Sequence, residues 1–145
     1  MYYFAYGSNM LRSRLEKRVG TVDDLGNAML SGHKIFFNKI SSTDGTGKAN
    51  IISYEEENVM GVVYSLTAEQ IDILDKSEGG YNRITILVML NNNLVEMETY
   101  IAKANRINNE LLPTKEYRQY LIDGASEHVF PQDYIEMFNT HETSD

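Results

Sequence analysis

Runs of apolar, aromatic and β-branched residues recur along this chain at strand length, and helical segments do not alternate with them. Tyr2–Tyr6, His33–Ile40, Ala49–Tyr54, Val59–Leu66, Arg83–Leu90 and Leu94–Lys103 all read as strands. Turn-rich breaks separate several of them, notably Ser41–Gly47 and the acidic Glu55-Glu56-Glu57-Asn58. About six strands with a few short helices concentrated at the ends define an α+β protein rather than a doubly wound α/β one. A curved sheet or small barrel is the natural way to bury such strands.

The helical signals are local. After Gly7-Ser8-Asn9 breaks the first strand, Met10–Arg18 carries helix-forming residues, and Gly20–Gly26 reads as a connection. Thr67-Ala68-Glu69-Gln70 has capping-box spacing and starts a helix through Ile71, Leu74 and Asp75, which the paired Gly79-Gly80 must end. Asn91-Asn92-Asn93 predicts a hairpin turn, with Val95, Met97, Thr99 and Ile101 on one face of the strand that follows. Beyond Pro113, Tyr117, Tyr120 and Leu121 have helical spacing with Gly124 as C-cap, and a last short helix follows Pro131. No repeat or linker interrupts the chain, so residues 1–139 are expected to form one domain and the polar tail 140–145 to be disordered.

Composition removes several classes of function. There is no cysteine, which excludes disulfides, thiolate metal sites and cysteine nucleophiles and is compatible with a reducing cytoplasm. The net charge is −8, and the nearest approach to a basic cluster, Arg12, Arg14, Lys17 and Arg18, reads as a solvated helix face, so no nucleic-acid partner is expected. No apolar run approaches the ~20 residues of a membrane span, and the N-terminus lacks the basic region of a secretory signal. The protein is expected to be soluble and cytoplasmic, without a membrane partner.

His33, His128 and His141 are far apart in no metal-ligand spacing, so no metal site is expected. Asp44-Gly45-Thr46-Gly47-Lys48 is followed by Ala49 where a phosphate loop requires Ser or Thr, and is better read as a hairpin connection. Ser8 lacks the second glycine of a nucleophile elbow. Two segments remain that chemistry could use. At Tyr6-Gly7-Ser8-Asn9 a strand runs abruptly into a helix start; Gly7 permits a tight turn or a positive φ, and the next amides lack helical partners and suit a carboxylate or an oxyanion. A plain turn with Ser8 or Asn9 as N-cap is the commoner use of such a sequence. At Asp75–Tyr81, Glu78 follows an apolar helix and precedes two glycines, so partial burial would raise its pKa toward the range of a general base. An exposed loop acid is the alternative.

Tyr3-Phe4-Ala5-Tyr6-Gly7-Ser8-Asn9, followed by Leu74-Asp75-Lys76-Ser77-Glu78-Gly79, resembles the γ-glutamylcyclotransferase family, with its YGSN substrate loop and L-D-x-x-E-G catalytic segment. Gly47–Ile51, Met60–Tyr64 and Tyr117–Gly124 extend the similarity over nearly the whole chain. The resemblance implies a small mixed β-barrel flanked by short helices, without metal or cofactor, acting on a small γ-glutamyl molecule; it leaves a homodimer open. It also implies that Tyr6, Gly7, Ser8 and Asn9 hold the γ-glutamyl group, that Glu78 is the acid–base residue, and that Tyr81, Tyr100 and Tyr117 line the pocket. The compact Glu78-Gly79-Gly80-Tyr81 departs from the longer loop of many members, although Tyr81-Asn82-Arg83 keeps the Y-x-R that often follows.

The implied reaction converts a γ-glutamyl amino acid or amine to 5-oxoproline and the free amine. The α-amine attacks its own γ-carbonyl, and well-oriented attacks of this kind reach effective molarities of about 10⁵ M or more. A carboxylate takes the proton from the amine and returns it to the departing nitrogen. A non-catalytic small-molecule binding module using the same pocket is the competing reading.

Overall fold

The computed structural model describes all of Met1–Asp145. Five strands close into a barrel in the order β1-β3-β2-β4-β5. They are β1 (Tyr2–Ala5), β2 (Asp23–Ile40), β3 (Gly47–Ser65), β4 (Tyr81–Leu90) and β5 (Asn93–Ala102). Four α-helices lie outside it: α1 (Arg12–Val19), α2 (Ala68–Ser77), α3 (Lys115–Glu127) and α4 (Gln132–Thr140). The barrel is mixed, because β1 runs antiparallel to β3, with Phe4 opposite Val63, and parallel to β5, with Tyr3 opposite Glu98.

Five strands replace the expected six because Ala49–Tyr54 and Val59–Leu66 are one strand. The acidic residues between them form a bulge: Asn58 pairs with Ser31 and Ser53 with His33, so Tyr54–Glu57 stand opposite Gly32 alone. Extra residues on one strand bend the ribbon without ending it, and the acids occupy the bend in solvent. The Gly20–Gly26 connection is likewise shorter than expected. Strand β2 begins at Asp23, and the Asp24–Gly26 signal marks a register shift in which Asp24 Oδ1 accepts from the Gly26 amide at 2.9 Å.

The other local signals act as expected. Thr67 and Gln70 form a reciprocal capping box on α2. Asn91 and Asn92, with φ of 49° and 66°, make the β4–β5 turn in a conformation that Asn tolerates. On β5, Met97 and Thr99 point into the core. Ser41–Thr46 closes the β2–β3 hairpin, with the Ser41 amide on the Thr46 carbonyl at 2.8 Å. The tail segment turns back onto α3: the Ser144 amide donates to the Pro113 carbonyl, and the Lys115 amide to Asp145 Oδ1, both at 2.9 Å.

Gly124 is not a C-cap. It lies inside α3, which continues to Glu127. A Cβ there would stand 2.6 Å from the Leu11 amide nitrogen and 2.7 Å from the Met10 carbonyl carbon, so the missing side chain lets α3 press against the turn that follows β1. The fully buried Met10 and Leu121 pack there, and the Tyr64 hydroxyl donates to the Met10 carbonyl at 2.9 Å. Gly124→Ala tests this contact. Alanine is the better helix former by about 1 kcal/mol, but the obstacle is backbone, and overpacking of this kind costs about 1–3 kcal/mol. A lower urea midpoint is expected; an unchanged or higher one would mean that α3 does not need this approach.

Candidate active site

Strand β1 ends at Ala5, and the chain turns through Gly7 into a single 3₁₀ turn, Ser8–Met10. Gly7 has φ −113°, so the positive φ admitted by the sequence is not used. The space beside it is tight: a Cβ would lie 3.2 Å from Ala49 Cβ and 3.4 Å from the Tyr117 hydroxyl. Ser8 and Asn9 are buried, and the first amides of such a turn have no partner within it. Neither side chain caps the turn. Opposite, α2 ends at Ser77 and Glu78 is its C-cap, its amide bonded to the Leu74 carbonyl at 2.9 Å.

These two chain ends meet over the mouth of the barrel. One cavity is lined by Tyr6, Gly7, Ser8 and Asn9 from the turn, by Glu78, and by Tyr81, Tyr100 and Tyr117. Every site residue named from the sequence therefore stands on one wall or another of the same cavity. Tyr3, Ala49 and Thr99 complete the lining and were not singled out. The three histidines stand elsewhere: His33 bonds to the Ser31 carbonyl, His128 to Asp24, and His141 meets Phe37 edge to face.

Asn9 joins the two segments. Its Nδ2 donates to Glu78 Oε1 at 2.9 Å and to the Tyr3 hydroxyl at 3.0 Å. An ionised carboxylate can only accept, which fixes the orientation of the amide and leaves Asn9 Oδ1 buried without a partner. The tyrosines are held from behind. Tyr6 donates to the Tyr100 carbonyl at 2.6 Å, Tyr81 to the Ala49 carbonyl at 2.7 Å, and the Ala49 amide donates to the Tyr117 hydroxyl at 3.1 Å. Tyr100 donates to Asp75 at 2.6 Å, and Asp75 is held by Arg83 at 3.0 Å. Asp75 was legible as the second residue of the L-D-x-x-E-G segment; its link to Tyr100 was not.

The electrostatics single out Glu78. Its side chain is only 15% exposed, and burial raises its pKa above the usual carboxylate range, opposed by Arg18, by the Asn9 hydrogen bond and by Lys39. Arg18 Nη1 lies 3.5 Å from Glu78 Oε1. Burial pushes the phenols of Tyr3, Tyr6, Tyr81 and Tyr100 up, and that of Tyr117 to about 12, so all five stay neutral hydrogen-bonding groups near pH 7. Glu78 is thus the one carboxylate lining the cavity, and burial raises its pKa.

The cationic helix face expected to be solvated is used here. Arg14 and Arg18, one turn apart on α1, both face the basin outside Glu78. The charge run looked like surface because nothing in the sequence shows that α1 packs beside α2.

The fold and site together describe a small mixed barrel with a buried carboxylate opposite a glycine turn. Residues 58–138 match the model of the AIG2-like family, and the chain belongs to that family. A γ-glutamylcyclotransferase of Bos taurus is 28% identical over 99% of this chain and 79% of its own length, and that of Homo sapiens 27% identical over the same shares. A solved structure titled γ-glutamyl cyclotransferase superposes with a TM-score of 0.88 at 28% identity, covering 99% of this chain and 89% of the other. The resemblance and the barrel read from the sequence are borne out, with five strands in place of six. No helix is long and apolar enough to cross a membrane.

Arg18→Gln removes the strongest charge holding the Glu78 pKa down. A carboxyl ¹³C titration is expected to show Glu78 ionising at higher pH in the variant than in the parent. An unmoved or lower midpoint would mean that Arg18 does not act on this carboxylate.

Proposed function

We propose that this protein is a γ-glutamylcyclotransferase-type enzyme that converts a γ-glutamyl amino acid or amine to 5-oxoproline and the free amine. The observation that carries the reading is the mostly buried Glu78 carboxylate, hydrogen-bonded to Asn9 across a cavity that also holds the Gly7–Asn9 turn.

The γ-glutamyl group occupies the cavity folded on itself, its α-amine against Glu78. Glu78 takes a proton from the ammonium, and the neutral nitrogen attacks the γ-carbonyl carbon. A C–N bond forms in the new ring and the C–N bond to the leaving amine breaks, while Glu78 relays two protons from the attacking to the departing nitrogen, one before attack and one as the ring closes, leaving a lactam N–H and an ammonium. The products together have the composition of the substrate, so no water is consumed. A pKa raised above the ordinary carboxylate range suits both halves of this exchange, since the group must release the proton as readily as it takes it. The amides of the Gly7–Asn9 turn grip the substrate carboxylate or stabilise the tetrahedral oxyanion. Asn9 Oδ1 has no donor within the protein, and in this reading an N–H of the bound α-amine supplies one; an unmet buried acceptor costs about 1–3 kcal/mol. The neutral tyrosines shape the remaining wall.

The test is 5-oxoproline release from a panel of γ-glutamyl amino acids and amines, by the wild type and by Glu78→Gln. Release is expected from the wild type and a loss of about 10²–10⁴-fold in the variant. Stability separates this from misfolding. Glu78 has its folded pKa raised, so its ionisation costs stability progressively as pH rises from the unfolded pKa to the folded one, and that cost is fully present above it. Glutamine cannot ionise and keeps an acceptor for Asn9, so the melting temperature at neutral pH is expected to be equal or higher. A folded Glu78→Gln that retains most of its rate would remove Glu78 as the base. Absence of release from every panel member would favour the binding module.

A further inference from the structure

The cavity opens past Glu78 into a second, larger basin whose character is the reverse of the protein's. On a chain of net charge −8, this basin is faced by Arg14, Arg18, Lys39, Lys48 and Lys76, with Glu78 as its only acid. Arg18 is engaged by Glu78, whereas none of the other four belongs to an ion pair.

Lys39 is buried and Arg14 and Lys48 are half-buried, which makes their lack of an ion-pair partner informative. Lys39 is only 4% exposed, and its ammonium rests against the Tyr81 ring, 4.8 Å from the centroid, and donates to no protein acceptor. Arg14 stacks on Tyr120 at 4.1 Å, and its Nε is buried without an acceptor. Lys48 lies over the Tyr117 ring at 4.2 Å, while Asp44 and Glu116 approach it from the neighbouring groove. Burial and mutual repulsion lower the pKa of Lys39, and burial that of Lys48. Charges taken partly out of water are ordinarily paired, and desolvating an ammonium without a carboxylate beside it is costly. Such a set is stabilised when an anion enters from outside.

We infer that the basin formed by Arg14, Lys39 and Lys48 binds the carboxylates of the leaving group, and that the enzyme acts on γ-glutamyl compounds whose leaving amine is a dicarboxylic amino acid. This rests on the proposed cyclotransferase reading, which puts the glutamyl part in the inner cavity and so directs the departing nitrogen and its substituents past Glu78 into the basin. One carboxylate meets only part of this charge, a second meets more of it, and a cationic amine would be repelled.

The experiment compares kcat/KM for γ-glutamyl-glutamate, γ-glutamyl-alanine and γ-glutamyl-ethylamide in the wild type and in Lys39→Met. The wild type is expected to prefer them in that order, with about tenfold or more between the first and the last. In Lys39→Met the glutamate-to-ethylamide ratio is expected to fall about ten- to a hundredfold. Any effect of Lys39 on Glu78 is common to both substrates and cancels in the ratio. An unchanged ratio in a folded variant would mean that Lys39 serves the γ-glutamyl group's own carboxylate, and would overturn the proposal. A second measurement needs no variant: the wild-type ratio is expected to fall with rising salt, and a flat or reversed preference at low salt overturns the proposal even if 5-oxoproline is released. Release from none of the three removes the cyclotransferase reading, and the proposal with it.

Discussion

Everything at this site depends on where β1 ends. The strand is four residues long, yet it closes the barrel by pairing with β3 on one edge and β5 on the other. Buried side chains reinforce that closure: Thr99 donates to the Phe4 carbonyl at 2.8 Å and Tyr6 to the Tyr100 carbonyl at 2.6 Å. A closed sheet has no free edge and little freedom to shear. The chain leaving β1 is therefore delivered at a fixed height over the barrel mouth, and Gly124 lets α3 clamp the following turn from above. Asn9 can reach Glu78 only because both ends are held.

The second constraint is electrostatic. Burial by itself pushes the pKa of the Glu78 carboxylate up. Arg18, Asn9 and Lys39 oppose that, and they come from α1, the 3₁₀ turn and β2. The result is a proton-binding group held between two tendencies, surrounded by phenols too weakly acidic to compete with it. The cations doing this also face outward into the basin, so the groups that tune Glu78 are continuous with those that would meet a leaving group.

Much of this was legible in the residues themselves. The capping box, the Asn turn and the period-two face of β5 act through neighbours a few residues away, and each was readable without a structure. The YGSN and E-G segments identified the family and the cavity lining. Three readings failed in an instructive way. Glu55–Asn58 looked like a loop because a bulge uses the same polar residues as a break. Gly124 looked like a cap because a glycine placed for helix–helix approach has the same local sequence. The Arg14–Arg18 run looked like solvated surface because its partner, Glu78, is sixty residues away in the chain.

The sequence by itself determined the strand-rich α+β class, the positions of most turns and helix starts, and the residue types gathered at the site. Those properties follow from backbone preference and short-range periodicity, which are written in consecutive residues. The tertiary structure decided that two strand runs are one, that Gly7 sits in a tight space at negative φ, and that Arg18 reaches Glu78 while Arg14 and Lys39 face the same basin. Such facts depend on distances between segments remote in the chain, and only closure of the barrel sets those distances.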